Sequence, residues 1–339
     1  MPPMWTKYHA RLHQTLKNRN LLPKHSKILI ALSGGQDSLC LTRLCLDLQP
    51  KWHWQIAVAH FNHNWEHDRG LAEHVANICS SWGVEFHVVT AASTIKETEA
   101  EARRHRYQAL TDIACRCGFS YLLTAHTLSD RAETFIYNLI RGAGLEGLTA
   151  LNWTRRLNCH VTLVRPLLNF TRQETGDFCR QFHLPVWQDK YNQDRKFARN
   201  RIRLDLIPYL QREFNNQVEK HLAQTAEILR AELEYLEAET ERIYRLVFNA
   251  KTNSIKCKSL REYPLNFQRR VIKKFLASNL SKMPNFEQIE SVVRLIYAPN
   301  KTTTSTLADH MAVTVEDEEL KLVNVSELNN NNSARTIES

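Results

Sequence analysis

The stretch "KILIALSGGQDSLCL", residues 27–41, constrains this chain more than any other. An apolar run with strand character breaks at two adjacent glycines and resumes as an apolar helix. Such a junction offers consecutive backbone N–H groups and the positive end of a helix to an anion. It also demands a sheet whose strands end where helices begin, which is an α/β architecture. Two common versions of the loop are excluded. No lysine follows as in G-x-x-x-x-G-K-[ST], and the dinucleotide pattern G-x-G-x-x-G is absent. Which phosphate chemistry works without the lysine is the question the rest of the sequence must answer.

The flanks repeat the rhythm. Further strands are predicted at 55–61, 85–89 and 121–126, alternating with helices over 37–48, 68–82 and 99–117. This order predicts a doubly wound parallel sheet with helices on both faces and ligands at the carboxyl ends of the strands. One more strand is expected within 161–168, and Thr171 with Glu174 three residues on forms a capping-box helix start. Residues 217–247 read as a long polar helix with seven acids against four bases, a solvated connector. Beyond it, helices at 265–280 and 285–298 and strands at 303–307, 311–316 and 319–325 predict a small α+β domain. The expected division is a catalytic domain over 1–215, a connector over 216–247, the small domain over 248–325 and a disordered polar tail over 326–339.

With 339 residues, two domains are the default. The net charge of +9 is uneven: residues 1–215 hold 28 basic against 19 acidic groups, and residues 216–339 hold 17 of each. A basic half beside a neutral one suggests a polyanionic partner such as nucleic acid. No apolar run reaches the roughly 18 residues of a membrane span, and the N-terminal stretch has no leader pattern, so the cytoplasm is the expected compartment. The eight cysteines are mostly scattered among apolar neighbours, as small core residues in a reducing compartment would be. Cys115 and Cys117 are close, but C-x-C without a second pair is a poor metal signal.

S-G-G-x-D-S matches the PP-loop of ATP pyrophosphatases, which break the bond between the α and β phosphates. Further elements stand in fixed order: "HFNH" (60–63), "EARRHRY" (101–107), "TAH" with Asp130, Glu133 and Thr134, "RGAGLEGL" (141–148), "RPLL" (165–168) and "RNRIR" (199–203). Together they resemble the tRNA(Ile)-lysidine synthase family, from about Lys27 to Arg203. The resemblance implies a ligase that adenylates the 2-oxo group of the wobble cytidine in the CAU anticodon of a minor isoleucine tRNA. The ε-amine of free L-lysine then displaces AMP to leave lysidine, so ATP is a substrate and Mg²⁺ its companion ion.

By the same resemblance, Asp37 and Asp130 are the catalytic carboxylates and the Mg²⁺ ligands. Ser33, Gly34, Gly35, Gln36, Asp37, Ser38, His60, His126 and Arg141 bind ATP. Arg199, Asn200 and Arg203 touch tRNA. Residues Arg269, Arg270, Lys273 and Lys274 recur at i, i+1, i+4 and i+5 on a predicted helix, giving a basic stripe for a tRNA stem. A homodimer is left open.

The chain departs from the family pattern in places. Thr127, Ser129 and Arg131 stand where His, Asp and Gln are common, so Asp130 is expected to do the work of two acids. Asn64, Trp65 and Glu66 replace G-L-R, and Tyr191 replaces Ser, while Asp189 and Asn192 fit. His60, His63 and His67 allow a zinc reading beside a strand-end substrate loop, and Trp52, Trp54 and Trp65 a base-stacking one. Three competing identities fit the sequence less well. NAD or GMP synthetases would not need the block from Arg141 to Arg203. A 2-thiocytidine enzyme should carry C-x-x-C pairs, which are absent. A catalytically silent tRNA-binding module is favoured only by Ser129.

Overall fold

The computed structural model describes residues 5–65, 68–91, 99–149, 151–187 and 194–326. Glu66, His67, Asp189, Tyr191, Asn192 and the tail beyond Ser326 therefore lie outside the described residues. The chain separates into two compact units, Met1–Arg230 and Ala231–Ser339. The whole net charge belongs to the first, because residues 231–339 carry 15 basic and 15 acidic groups.

The first unit runs α1 (Lys7–Asn18), β1 (Lys27–Ala31), α2 (Gln36–Trp52), β2 (Gln55–Asn62), α3 (Leu71–Ser81), β3 (Glu85–Thr90), α4 (Glu99–Arg116) and β4 (Tyr121–Leu123). It continues with α5 (Leu128–Ile140), α6 (Leu145–Leu148), β5 (Thr154–Arg156), β6 (Thr162–Val164) and α7 (Arg172–Gln181). Then come α8 (Ala198–Arg201), a π-helical turn (Ile202–Leu206), α9 (Ile207–Glu213) and the long α10 (Val218–Val247), within which the unit boundary falls.

The sheet order is β3-β2-β1-β4-β6-β5. Five strands are parallel, with Ile28 beside both Ile56 and Tyr121; β5 runs antiparallel to β6 at the edge. Successive strand residues face opposite sides. Ile28, Ile30, Ile56, Val58 and Leu123 pack under helices α1, α2, α3 and α7. Leu29, Ala57, Ala59 and Leu122 instead meet Tyr107, Leu110, Ile113 and Ala114 of α4. Burial on both faces explains why these strands read as unbroken apolar runs rather than alternating ones. The doubly wound parallel sheet expected from the sequence is therefore present.

Chain order reverses between β1 and β4, and that switch point opens a crevice at their carboxyl ends. The predicted strand 121–126 stops at Leu123, and this shortening delivers Thr124, Ala125 and His126 to the crevice as loop. The N-terminal stretch folds as α1, capped reciprocally by Thr6 and His9. That histidine is fully buried against Asp47 at 3.0 Å. Cys40, Cys45, Cys79, Cys179 and Cys257 are buried, while Cys115, Cys117 and Cys159 are exposed.

The second unit closes a four-stranded antiparallel sheet, β7 (Phe248–Asn249), β8 (Ser254–Lys256), β10 (Glu319–Asn324) and β9 (Met311–Glu316). It is covered by α11 (Cys257–Arg261), α12 (Leu265–Asn279) and α13 (Phe286–Leu295). The expected strand 303–307 is reduced to one bridge between Thr303 and Thr314. No helix among the described residues is long and apolar enough to cross a membrane.

Candidate active site

The crevice at the switch point is a cleft of about 400 Å³. Its floor is the loop between β1 and α2. Gly34 sits at φ +82°, and a Cβ there would come within 2.7 Å of Leu71 Cδ1 and 3.4 Å of Trp187 Cβ. The position therefore requires glycine on both conformational and steric grounds. The Trp187 N–H donates to the Gly34 carbonyl at 3.0 Å, closing a wall over the loop. Inside it, the Ser33 N–H donates to Ser38 Oγ at 3.2 Å, and Ser38 Oγ donates to the Gly35 carbonyl at 2.9 Å. These bonds fix the turn so that α2 begins at Gln36 with its end toward the cleft.

Two more helix ends meet there. Helix α5 opens with a capping box in which Asp130 Oδ2 accepts from the Thr127 N–H (2.7 Å) and hydroxyl (2.8 Å). Helix α7 opens with the box of Thr171 and Glu174, and Glu174 also grips Arg11 at 2.6 Å. The two ends are stitched together. Leu128 N–H donates to the Phe170 carbonyl at 2.8 Å, and Arg172 N–H donates to Ser129 Oγ at 3.1 Å. Three helix N-termini around one cleft make it favourable for anions.

Asp37 lies between them. Its Oδ1 accepts from the Thr175 hydroxyl, and its Oδ2 is 3.7 Å from the Arg172 guanidinium. Burial pushes the Asp37 carboxyl above the usual carboxylate range; Arg172 pulls it back, and Asp130 adds to the rise. Asp130 Oδ1 is 3.8 Å from Arg203, whose main partner is Glu133 in a two-point pair at 2.6 and 2.7 Å. Burial also raises the Glu133 carboxyl, against the pull of Arg203.

His60 donates from Nδ1 to the Leu32 carbonyl at 2.8 Å, leaving Nε2 buried and unpartnered. Burial lowers its pKa, so the ring is held neutral. His126 accompanies Thr124 at 3.0 Å, and burial with Arg165, Arg103, Arg106 and Arg199 nearby lowers it well below the usual histidine value. Arg103, Arg106 and Arg155 each lie within 6 Å of the Tyr107 ring centre, at 5.2, 5.7 and 5.3 Å. Burial alone would raise the Tyr107 phenol; the field of Arg103, Arg165 and Arg106 outweighs it and lowers the pKa. This wall is strongly positive.

The structure thus gathers Ser33, Gly35, Gln36, Asp37, Ser38, His60, His126 and Asp130 along one cleft, with Gly34 in its loop. It does not bring Arg141 there. That residue is the C-cap of α5, about 16 Å along the helix from Asp130, and its guanidinium donates to the Tyr137 hydroxyl at 2.9 Å.

Position 129 also corrects an expectation. Ser129 does not line the cleft: it is buried, bonded to Arg172 N–H and faced by Glu219. The expectation that Asp130 replaces a missing cleft acid at 129 therefore has no geometric basis here. Arg131, likewise buried, pairs with Glu227 at 2.8 Å and lies 5.3 Å from the Trp153 ring centre, on the far side of α5.

The expected tRNA contacts fare unevenly. Arg203 is engaged with Glu133, the Asn200 amide donates to the Asp194 carbonyl at 2.9 Å, and Arg199 rests 6.0 Å from the Tyr137 ring centre. In the second unit Arg269 pairs with Glu290 at 2.6 Å and Lys274 pairs with Glu241, so half of the basic stripe is neutralised by other helices. Arg270 and Lys273 also have partners. Trp52 and Trp54 stack on each other at 5.2 Å, with indole N–H groups given to His13 and Pro23, whereas Trp65 stacks on His63 in the cleft wall. No group of three or more His, Cys, Asp or Glu suited to a metal occurs among the described residues.

Sequence reasoning overlooked Arg172, Arg106 and Trp187 as cleft residues. For Arg172 one signal existed: it directly follows the capping threonine Thr171.

A Gly-Gly turn, a helix-end acid and a crevice at the β1–β4 switch point define a class, and comparison bears it out: the PP-loop domain family matches residues 4–210. A tRNA(Ile)-lysidine synthase from Nostoc sp. is 46% identical over 316 residues, covering 89% of this chain and 92% of the relative. That of Synechocystis sp. is 46% identical over 325 residues, covering 94% and 98%. The chain belongs to the tRNA(Ile)-lysidine synthase family. Among solved structures, the U34-tRNA thiolase NcsA from Methanococcus maripaludis matches with a TM-score of 0.57 at 17% identity, over 66% of this chain and 78% of that one, a likeness of fold alone.

Proposed function

We infer that this chain joins free L-lysine to the 2-position of the wobble cytidine in a CAU-bearing isoleucine tRNA, using ATP. The observation that carries the reading is identity of 46% with synthases of that name over 94% of the chain, together with Asp37 and Asp130 sharing the cleft above the loop. In the first step the cytidine 2-oxygen attacks the α-phosphorus and pyrophosphate leaves. In the second the lysine ε-amine adds at C2, AMP departs with the oxygen, and the nitrogen loses a proton. An ammonium of pKa about 10.4 must be deprotonated to attack. Asp37, made more basic by burial, is the group that accepts that proton in this reading.

The loop N–H groups and the serine hydroxyls hold the pyrophosphate, and neutral His60 and His126 line the nucleoside side of the cleft. Mg²⁺ fits the carboxylate oxygens that accept no direct hydrogen bond, Asp37 Oδ2 and Asp130 Oδ1, which face Arg172 and Arg203 only at 3.7 and 3.8 Å, since this ion needs only one or two carboxylates beside substrate phosphates. When bound it would draw charge from the departing pyrophosphate. The second unit serves tRNA choice, because initiator and isoleucine tRNAs with the same anticodon differ only in their bodies. Arg269 and Lys274 must exchange carboxylate for phosphate partners to take part.

The test is incorporation of labelled lysine into isoleucine and methionine CAU tRNAs with ATP. Lysine in the first alone, with AMP and pyrophosphate released in equal amounts, is expected. Pyrophosphate release without lysine in the tRNA would sink the reading. Replacing Arg269, Arg270, Lys273 and Lys274 by alanine together should lower the preference between the two tRNAs; an unchanged ratio would remove the second unit from tRNA choice.

A further inference from the structure

The loop between β1 and α2 has no lysine, and the charged residue that follows it at the start of α2, Asp37, is an acid. Helix ends contribute only about half a charge each. A triphosphate needs a full positive charge near the pyrophosphate leaving group. Among the described residues, two arginines line the cleft, Arg106 from α4 and Arg172 from α7. Arg172 is fastened to the loop. Its carbonyl accepts from Gln36 Nε2 at 2.6 Å, its N–H is held by Ser129, and its guanidinium faces Asp37 at 3.7 Å. Gly176, one turn on, lets the helix approach this closely, because a Cβ there would stand 3.3 Å from the Gln36 amide.

We propose that Arg172 is the phosphate-binding cation of this enzyme, standing in for the absent loop lysine. Its guanidinium takes the β- and γ-phosphates of ATP and leaves Asp37 free as the triphosphate enters. The pairing with Asp37 supports the exchange. At 3.7 Å it is looser than the direct charge-assisted bonds that Arg203 makes to Glu133 at 2.6 Å and Arg11 to Glu174 at 2.6 Å. At that distance the guanidinium is not locked into a direct hydrogen bond and can turn to the phosphates. A planar guanidinium matches two phosphate oxygens at once, which a lysine does not. The backbone anchors persist whatever the side chain does, so the charge always starts from the same point beside the loop.

The inference rests on the ATP part of the functional reading alone, and it is tested without tRNA or lysine, so failure of lysine transfer leaves it standing. Titrate the full-length protein with ATP and with AMP by calorimetry. Arg172→Gln should weaken ATP about thirtyfold, ~2 kcal/mol, and change AMP less than twofold. Equal losses for both nucleotides, or none, would overturn the assignment. So would recovery of ATP affinity in the Asp37→Asn, Arg172→Gln double variant, since Arg172 would then only neutralise Asp37. A second measurement uses the unaltered protein: phenylglyoxal modification of Arg172, mapped by mass spectrometry. ATP and inorganic pyrophosphate should protect it and AMP should not; protection by AMP to the same extent would also overturn the proposal.

Discussion

Helices α5 and α7 start with the same device and use it differently. Each has a threonine cap and an acid at the third helical position, reciprocally bonded. In α5 the acid of the box is itself a cleft residue, Asp130. In α7 the acid, Glu174, is turned away onto Arg11, and the first residue of the helix, Arg172, enters the cleft instead. A capping box therefore fixes where a helix begins, and the residues of its first turn inherit that precision whether or not they belong to the box. One helix contributes a negative group and the other a positive group, with Asp37 between them.

Variants can break or sharpen this contrast. The largest effect should come from the group in the middle. Asp37→Asn is expected to lower tRNA-dependent pyrophosphate release by at least ~1000-fold, a barrier rise of about 4 kcal/mol. The same change should raise stability at neutral pH. The folded pKa of Asp37 lies above its unfolded value, so the cost of burying its charge is absent in acid and grows as pH rises through the folded pKa. Asparagine carries no such cost. A melting temperature for Asp37→Asn that does not gain on the parent between pH 4 and pH 7 would contradict the burial argument.

Next comes the box acid of α5. Asp130→Asn keeps an oxygen to accept from Thr127 and should preserve the melting temperature while slowing turnover about 100-fold. Asp130→Ala should lose the same activity and about 1 kcal/mol of stability besides. If the asparagine variant kept more than a tenth of the rate, Asp130 would be a cap and nothing more.

A smaller effect is expected at the stitch between the helices. Ser129→Asp places a buried carboxylate beside Asp130 and Glu219, whose own carboxyl burial already raises. Its folded pKa should be raised too, so the variant should be near normal in stability at pH 5 and lose melting temperature progressively toward pH 8. A flat difference across that range would place the new carboxylate in solvent. The smallest effect on chemistry belongs to Glu174→Ala. It should cost about 1 kcal/mol of stability through the cap and the Arg11 pair, with turnover within threefold of the parent; a tenfold loss would mean the box acid of α7 also acts on the cleft.

The parallel sheet was legible because its strands are buried on both faces and bounded by glycines, and Asp37 and Asp130 were legible because they sit in a motif. Arg172 was not. Its function arises only when the chain returns to the loop across the contact with Gln36, and no local pattern encodes that meeting. Position 129 was misread for a related reason: neighbours in sequence on a helix point about 100° apart, so an acid beside Asp130 need not share its cleft. The stripe from Arg269 to Lys274 looked like an open cationic face because the carboxylates that meet it, Glu290 and Glu241, come from other helices.

The buried thiol of Cys179 donates to the Gln36 carbonyl at 3.2 Å, and burial pushes its pKa up to about 12. Reagents that need a thiolate can reach it only when α7 lifts from the loop, while Cys115, Cys117 and Cys159 react from the surface at once. Alkylation of Cys179, followed by mass spectrometry apart from the other buried thiols Cys40, Cys45, Cys79 and Cys257, is thus a clock for the opening of the nucleotide floor. A molecule that ties Arg172 to the loop should slow that clock, and one that occupies only the nucleoside side should leave it running at its resting rate.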